Sequence, residues 1–325
     1  MSIFDERKNY KPFKYDEITL PLIEAMWKGH WTHLEFDFKS DKQDFYVKLS
    51  EEEREVIKRA ILMISQVEVA VKSYWANIGK LLPQPEIGDM GAVFGGIEVI
   101  HSRAYSEILS VLDLEDEFNK LLKEPVIKGR VEYLSKYVNK IYKNDHKNIV
   151  YSLILFTIFT ENISLFSQFY TILGFNRFNN ILKDLSNVVA YTSKEEDLHA
   201  KGGMALINKI REEHPELFDE EFENKIYEEV YEAVKAEENI VDWILEGYEN
   251  DFLSKNILLE FIKNRLNESL EQIGFKKQFD INQELLNKTL FFNEEIYAPT
   301  LTDFFHKKPI DYQKKAQKYS EETLF

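Results

Sequence analysis

Two Glu-x-x-His pairs, Glu98/His101 and Glu196/His199, lie in stretches that otherwise read as buried helices. Each follows a lone carboxylate in an apolar helical stretch, Glu68 by 30 residues and Glu161 by 35. At 3.6 residues per turn, the i, i+3 spacing aims both side chains of a pair the same way. Burying a carboxylate without a partner costs several kcal/mol, so a fold that buries these groups has to pair them, hydrogen-bond them or give them a metal. Tyr105 extends the first stripe at i+7 from Glu98, with Ile97, Val99, Ile100, Ile108 and Leu109 around it.

Only 12 Gly and 8 Pro interrupt 325 residues, and long stretches lack both apart from an isolated Gly129 in 126–173. Such a chain is mostly helical. The pattern predicts helices near 16–28, 51–80, 89–112, 127–142, 147–173, 178–213, 219–249 and 255–271, with breaks at 81–88, around Gly174, at 214–217 and near Gly274. No break has linker composition, so 1–305 is expected to be one helical domain. The polar, charged tail 306–325 (HKKPIDYQKKAQKYSEETLF) is expected to be mobile in the isolated chain.

Formal net charge is −16, and no basic patch interleaves with aromatics, which argues against nucleic acid or an anionic membrane as partner. The most apolar run, 148–160, is shorter than the roughly 20 residues a membrane span needs. The charged N-terminus, MSIFDERKNYKPF, lacks an apolar signal region, so a cytoplasmic location is expected. There is no cysteine, which removes disulfides, thiolate metal sites and thiol nucleophiles. Any metal must sit on His, Asp or Glu, a ligand set suited to Mn, Fe or Zn.

Two helices giving one Glu each and two giving Glu-x-x-His match the pattern of ferritin-like dinuclear carboxylate proteins. The expected fold is therefore all-α, a ferritin-like four-helix bundle with additional helices and a dinuclear metal site inside. Four carboxylates balance two divalent ions, and the two imidazoles complete the ligand set while leaving open positions. A single Glu-x-x-His occurs on many surface helices; two, each with an upstream glutamate, favour the metal site over a satisfied polar core. At the first position the pattern also allows Gln66 or a solvated face for Glu68. His30, His33, His146, His214 and His306 read as surface or structural residues. Tyr105 is either a core tyrosine or, one turn beyond His101, a candidate for oxidation by the metals. Leu165 and Phe169 would wall such a radical, and core packing explains them equally well.

IHSRAY at 100–105, with Glu98 ahead of it and EEDLH at 195–199, resembles the small, radical-generating subunit of class I ribonucleotide reductase, a resemblance covering most of the chain. It implies that Glu68, Glu98, His101, Glu161, Glu196 and His199 are metal ligands and that Tyr105 holds the radical-tyrosine position. Trp31, in HWTHLEFDF, takes the place of the tryptophan that starts radical transfer, on a route through Glu195. DFFHKKPIDYQ at 303–313 resembles the family's tail, with Tyr312 as relay, Tyr319 as rival, and Leu324 and Phe325 as the apolar foot that docks in the large catalytic subunit. The resemblance also implies a homodimer. Nucleotide reduction in this family uses cysteines of the large subunit, so a chain with none supplies the radical alone.

Two positions depart from the usual family pattern: Glu68 and Glu195 stand where most members carry Asp. Glu68 followed by Lys72 resembles the subclass, class Id, that uses two manganese ions activated by superoxide, with the metals holding the oxidising equivalent. Fe/Fe and Mn/Fe pairs are the alternatives. Lys72 would hydrogen-bond Glu68 or attract the anion, or else is simply solvated. The competing functions are a metal-storage ferroxidase and a ligand-binding metal oxidase on the same bundle.

Overall fold

The computed structural model describes residues 2–9, 11–121, 123–138 and 145–297, apart from the side chains of 68–71, 131 and 133–138. The side chain of Glu68 and the whole tail, with Tyr312, Tyr319, Leu324 and Phe325, therefore lie outside the described residues.

These residues form α1 (Asp16–Lys28), α2 (Lys39–Gln43), α3 (Glu51–Leu81), α4 (Pro85–Val111), α5 (Glu115–Leu121), α6 (Pro125–Val138) and α7 (His146–Ile154). They continue with α8 (Phe166–Asn179), α9 (Lys183–Glu213), α10 (Glu220–Leu245), α11 (Lys255–Gln272), α12 (Gln283–Asn287) and α13 (Leu290–Tyr297). There is no strand among the described residues. None of their helices is long and apolar enough to cross a membrane.

Local chemistry sets the helix starts. Ser50 and Glu53 form a reciprocal capping box at the head of α3. Asp219 and Ser254 accept from the first turns of α10 and α11. Pro85 opens α4, where its missing N–H costs nothing. The break expected at 81–88 is consequently only a short turn, and α4 begins four residues earlier than its predicted 89.

The bundle consists of α3, α4, the α7–α8 pair and α9, with α10 and α11 packed outside α3 and α8. Its helices approach closely at small residues. Gly91 leaves no room for a Cβ against Ile78 and the Trp75 carbonyl, and Gly203 leaves none against Thr157.

The single helix predicted over 147–173 is not observed. After α7 the chain widens into a π-helical segment, Leu155–Thr160, then turns through 161–165 before α8. Glu161 N–H donates to Phe156 O and Ser164 N–H to Phe159 O, both i→i−5 bonds. An apolar run has no sequence mark for this change, because the period stays helical while the register slips. The helix predicted from 178 starts at Lys183, since Asn180 and Leu182 take left-handed conformations. Helices α2, α5, α12 and α13 were not predicted from the pattern; each is eight residues or shorter.

Candidate metal centre

Helix α4 brings Glu98 and His101 into the bundle, α9 brings Glu196 and His199, and Glu161 enters at the end of the π segment. All five side chains are completely buried. Glu98 places Oε2 3.2 Å from His101 Nδ1 and Oε1 3.0 Å from His199 Nδ1. Glu196 does the same, with Oε1 3.2 Å from His101 Nδ1 and Oε2 3.2 Å from His199 Nδ1. Each of these carboxylates thus has one oxygen beside each imidazole. Glu161 is one-sided: Oε2 lies 3.7 Å from His199 Nδ1, while Oε1 accepts from Trp75 Nε1 at 2.6 Å. One atom from each of Glu98, Glu161, Glu196 and His199 falls within 4.8 Å of all the others.

The fit to cations can be tested on the oxygens. Glu98 Oε1, Glu161 Oε2 and Glu196 Oε1 are buried with no well-aligned donor; their near neighbours are the Nδ1 atoms of His199 and His101, at 3.0–3.7 Å. Buried carboxylate oxygens without donors are costly unless a cation answers them. Three such atoms converging on two imidazole nitrogens, an all-hard and borderline donor set, fit a pair of divalent first-row ions.

Electrostatics point the same way. Burial works against charge on His101, yet hydrogen bonds from its ring N–H groups to Glu195, Glu196 and Glu98 hold its pKa well above the ordinary imidazole value. Burial likewise opposes charge on His199, and Glu161, Glu196 and Glu98 outweigh it. Burial first, and the neighbouring charges of Glu196 and Glu98 after it, push Glu161 well up. Glu196 is held low against its own burial by hydrogen bonds with Glu161, His101 and His199. Such a site takes up protons when it has no metal, and metal binding must displace them.

From His101 a hydrogen-bonded chain leads outward. His101 Nε2 lies 2.8 Å from Glu195 Oε2, and the same oxygen accepts from Trp31 Nε1 at 2.9 Å. The Trp31 ring stacks on Tyr191 at 5.6 Å and meets the Phe36 edge at 5.8 Å. The segment that follows Trp31 is fastened to α9 by carboxylates that cap its start. Asp41 accepts from Asp184 N and Leu185 N, and Asp44 from Leu182 N.

Tyr105 is buried and donates to Thr192 Oγ1 at 3.3 Å. Lys72 Nζ donates to Ser102 Oγ at 3.0 Å, and Ser102 Oγ donates to the Glu98 carbonyl at 2.9 Å. Lys72 is therefore tied to the helix that bears Glu98 and His101. Leu165 and Phe169 are both fully buried. Of the other histidines, His146 stacks on Phe4 at 4.0 Å and His214 lies 2.6 Å from Ser2 Oγ, a structural use away from the site.

Sequence reasoning missed Trp75 and Thr192. Trp75 stands at i+7 from Glu68 on the same helix, and a buried indole N–H needs an acceptor. That need was the available signal; which carboxylate would meet it was not.

A helical bundle enclosing Glu98, His101, Glu161, Glu196 and His199, positioned for ions, defines a metal-binding, ferritin-like protein. Residues 7–285 match the family described as ribonucleotide reductase, small chain, and the chain belongs to that family. It is 23% identical to the ribonucleoside-diphosphate reductase subunit beta of Halalkalibacterium halodurans, over 90% of this chain and 85% of that one. The ribonucleotide reductase R2 subunit from Clostridium botulinum superposes with a TM-score of 0.76 at 18% identity, covering 87% of this chain and 88% of that one. The dimanganese(II) NrdF of Streptococcus sanguinis gives 0.72 at 17% identity, over 90% and 99%. An R2-like ligand-binding oxidase with a Mn/Fe cofactor gives 0.71 at 17% identity, over 84% and 100%. Membership makes this chain the small, radical-supplying subunit of a ribonucleoside-diphosphate reductase, an oxidoreductase that works with a large subunit.

Proposed function

We propose that Glu68, Glu98, His101, Glu161, Glu196 and His199 hold two metal ions, and that Trp31, Glu195 and His101 carry the oxidising equivalent from them toward the large subunit. When bound, the metal pair supplies that one-electron oxidising equivalent. Glu98 and Glu196, each with one oxygen beside His101 and the other beside His199, would hold the pair together with the two imidazoles. Glu161, beside His199, would be a further ligand, and Glu68 the sixth. The buried apolar shell excludes water that would quench a radical.

The observation that carries the reading is the shared acceptor: Glu195 Oε2 meets both Trp31 Nε1 at 2.9 Å and His101 Nε2 at 2.8 Å. Glu195 stands where the family usually carries Asp, and here it links indole and imidazole through one oxygen. A storage protein has no use for such a chain. The oxidase shares the fold, so fold likeness does not separate it; a relay leading out of the metal site favours delivery to a partner over oxidation of an enclosed ligand.

We favour manganese at both positions, with Lys72 holding positive charge beside α4 and the metals storing the equivalent in place of Tyr105. The tail docks to the large subunit through Leu324 and Phe325, and Tyr312 relays the radical. The homodimer is proposed to use α1 and α4, which pack together and carry the exposed side chains Leu20, Trp27 and Val99. A homodimer would cover that apolar surface.

The test uses Trp31→Phe and Tyr312→Phe, which keep a ring but lose the oxidisable N–H or O–H. Both variants are expected to bind two metals per chain and to lose ribonucleotide reduction with the large subunit. Normal turnover by either variant would remove that residue from the route.

A further inference from the structure

Resting on the metal-site reading above, we propose that Arg265 is a positioning residue for the metal centre, fixing through Asn162 the direction in which Glu161 enters the bundle. The need arises from the break after the π segment. Residues 161–165 leave the helical ladder: the Ile163 and Leu165 carbonyls are taken up by the N–H groups of Phe166 and Phe169, whereas the Asn162 carbonyl is met by a side chain. Arg265, reaching across from α11, supplies that side chain.

Arg265 Nε donates to the Asn162 carbonyl at 3.0 Å, and its Nη2 donates to Asn162 Oδ1. Asn162 Nδ2 donates to Ser269 Oγ at 2.6 Å, and Ser269 Oγ returns to the Arg265 carbonyl at 2.7 Å. Arg265 and Ser269 are i and i+4 on α11, so the ring of bonds closes on one helix turn. The guanidinium also lies over the Phe166 ring at 3.5 Å, at the first residue of α8. One planar group thus holds the residue after Glu161 by its edge and the start of α8 by its face.

All three polar partners are nine-tenths buried or more: Arg265 is 8% exposed, Asn162 7% and Ser269 0%. A buried guanidinium is costly, and stability alone would be better served by an apolar side chain of that volume. Its two donors in fixed geometry set the turn in a way a lysine ammonium cannot. Groups that orient a ligand from behind typically change metal affinity ten- to hundred-fold when removed.

The experiment is a titration of the full chain with Mn(II) alone, followed by the paramagnetic resonance signal of the free ion. Wild type is expected to take up two ions per chain. Arg265→Lys keeps the charge and loses the paired geometry; Asn162→Ala removes the contact from the other side. Each is expected to retain wild-type helical content and to weaken one ion by ten- to hundred-fold. In a Glu161→Ala background, Arg265→Lys should then cause no further loss, because its effect passes through Glu161.

Wild-type affinity for both ions in the two single variants would overturn the proposal. So would a loss of equal size with and without Glu161, which marks general loosening of the core. Where Arg265→Lys fails to fold, Asn162→Ala with and without Glu161 makes the same comparison. Failure of the wild-type chain to bind a pair of ions is a separate result and would overturn the metal-site reading itself.

Discussion

Trp75 Nε1 stands 2.6 Å from Glu161 Oε1, joining α3 to the break before α8 inside a completely buried site. The indole occupies one carboxylate oxygen and leaves Oε2 toward His199. Trp75→Phe keeps an aromatic ring between Phe94 and Phe156 but strands Oε1. Leaving a buried acceptor unsatisfied costs about 1–3 kcal/mol, so the metal-free variant should lose roughly that much stability. Urea unfolding of the two chains measures it, and an unchanged midpoint would show that the indole does not hold this oxygen.

Tyr105 donates to Thr192 Oγ1 at 3.3 Å, so Tyr105→Phe should cost about 1 kcal/mol for that bond and leave metal content intact. With the oxidising equivalent on the metals, this variant is expected to keep substantial reductase activity after manganese loading and activation by superoxide. Abolished activity with the metal pair intact would move the radical to Tyr105.

Glu237 on α10 faces Arg130 of α6 at 3.0 Å, away from the metal ligands. Burial pushes its carboxyl up to about 7, against the lowering effects of Arg130 and a hydrogen bond with Ser167. The folded chain therefore keeps a proton that the unfolded chain releases near 4.5. This contribution to stability is complete below 4.5 and is lost as pH rises through about 7. The interval from 4.5 to about 7 corresponds to at most about 3 kcal/mol. Glu237→Gln removes it, so the stability difference between wild type and variant should shift by a few kcal/mol between pH 5 and pH 8. A difference that stays constant across that range would rule out the buried proton.

The two Glu-x-x-His pairs were legible because a helix makes i, i+3 neighbours whatever surrounds it. Their upstream partners were only half legible. Glu161 was found from its apolar run, but the π segment and the turn that aim it were not, since a slip in hydrogen-bond register leaves hydrophobic periodicity almost unchanged. Trp31 and Glu195 were read as a route from their likeness to a family pattern, and neither residue's spacing gives their shared oxygen.

The sequence by itself determined an all-helical chain, a metal site without thiolates and the helices that bear its ligands, because those properties follow from composition and local period. Only the tertiary structure decided which carboxylate oxygen meets which donor. Trp75 finds Glu161 across 86 residues, Arg265 finds Asn162 across 103, and Trp31 finds Glu195 across 164. Contacts at such separations are fixed by helix packing, where glycines such as Gly91 and Gly203 let backbones approach, and no local pattern carries that information.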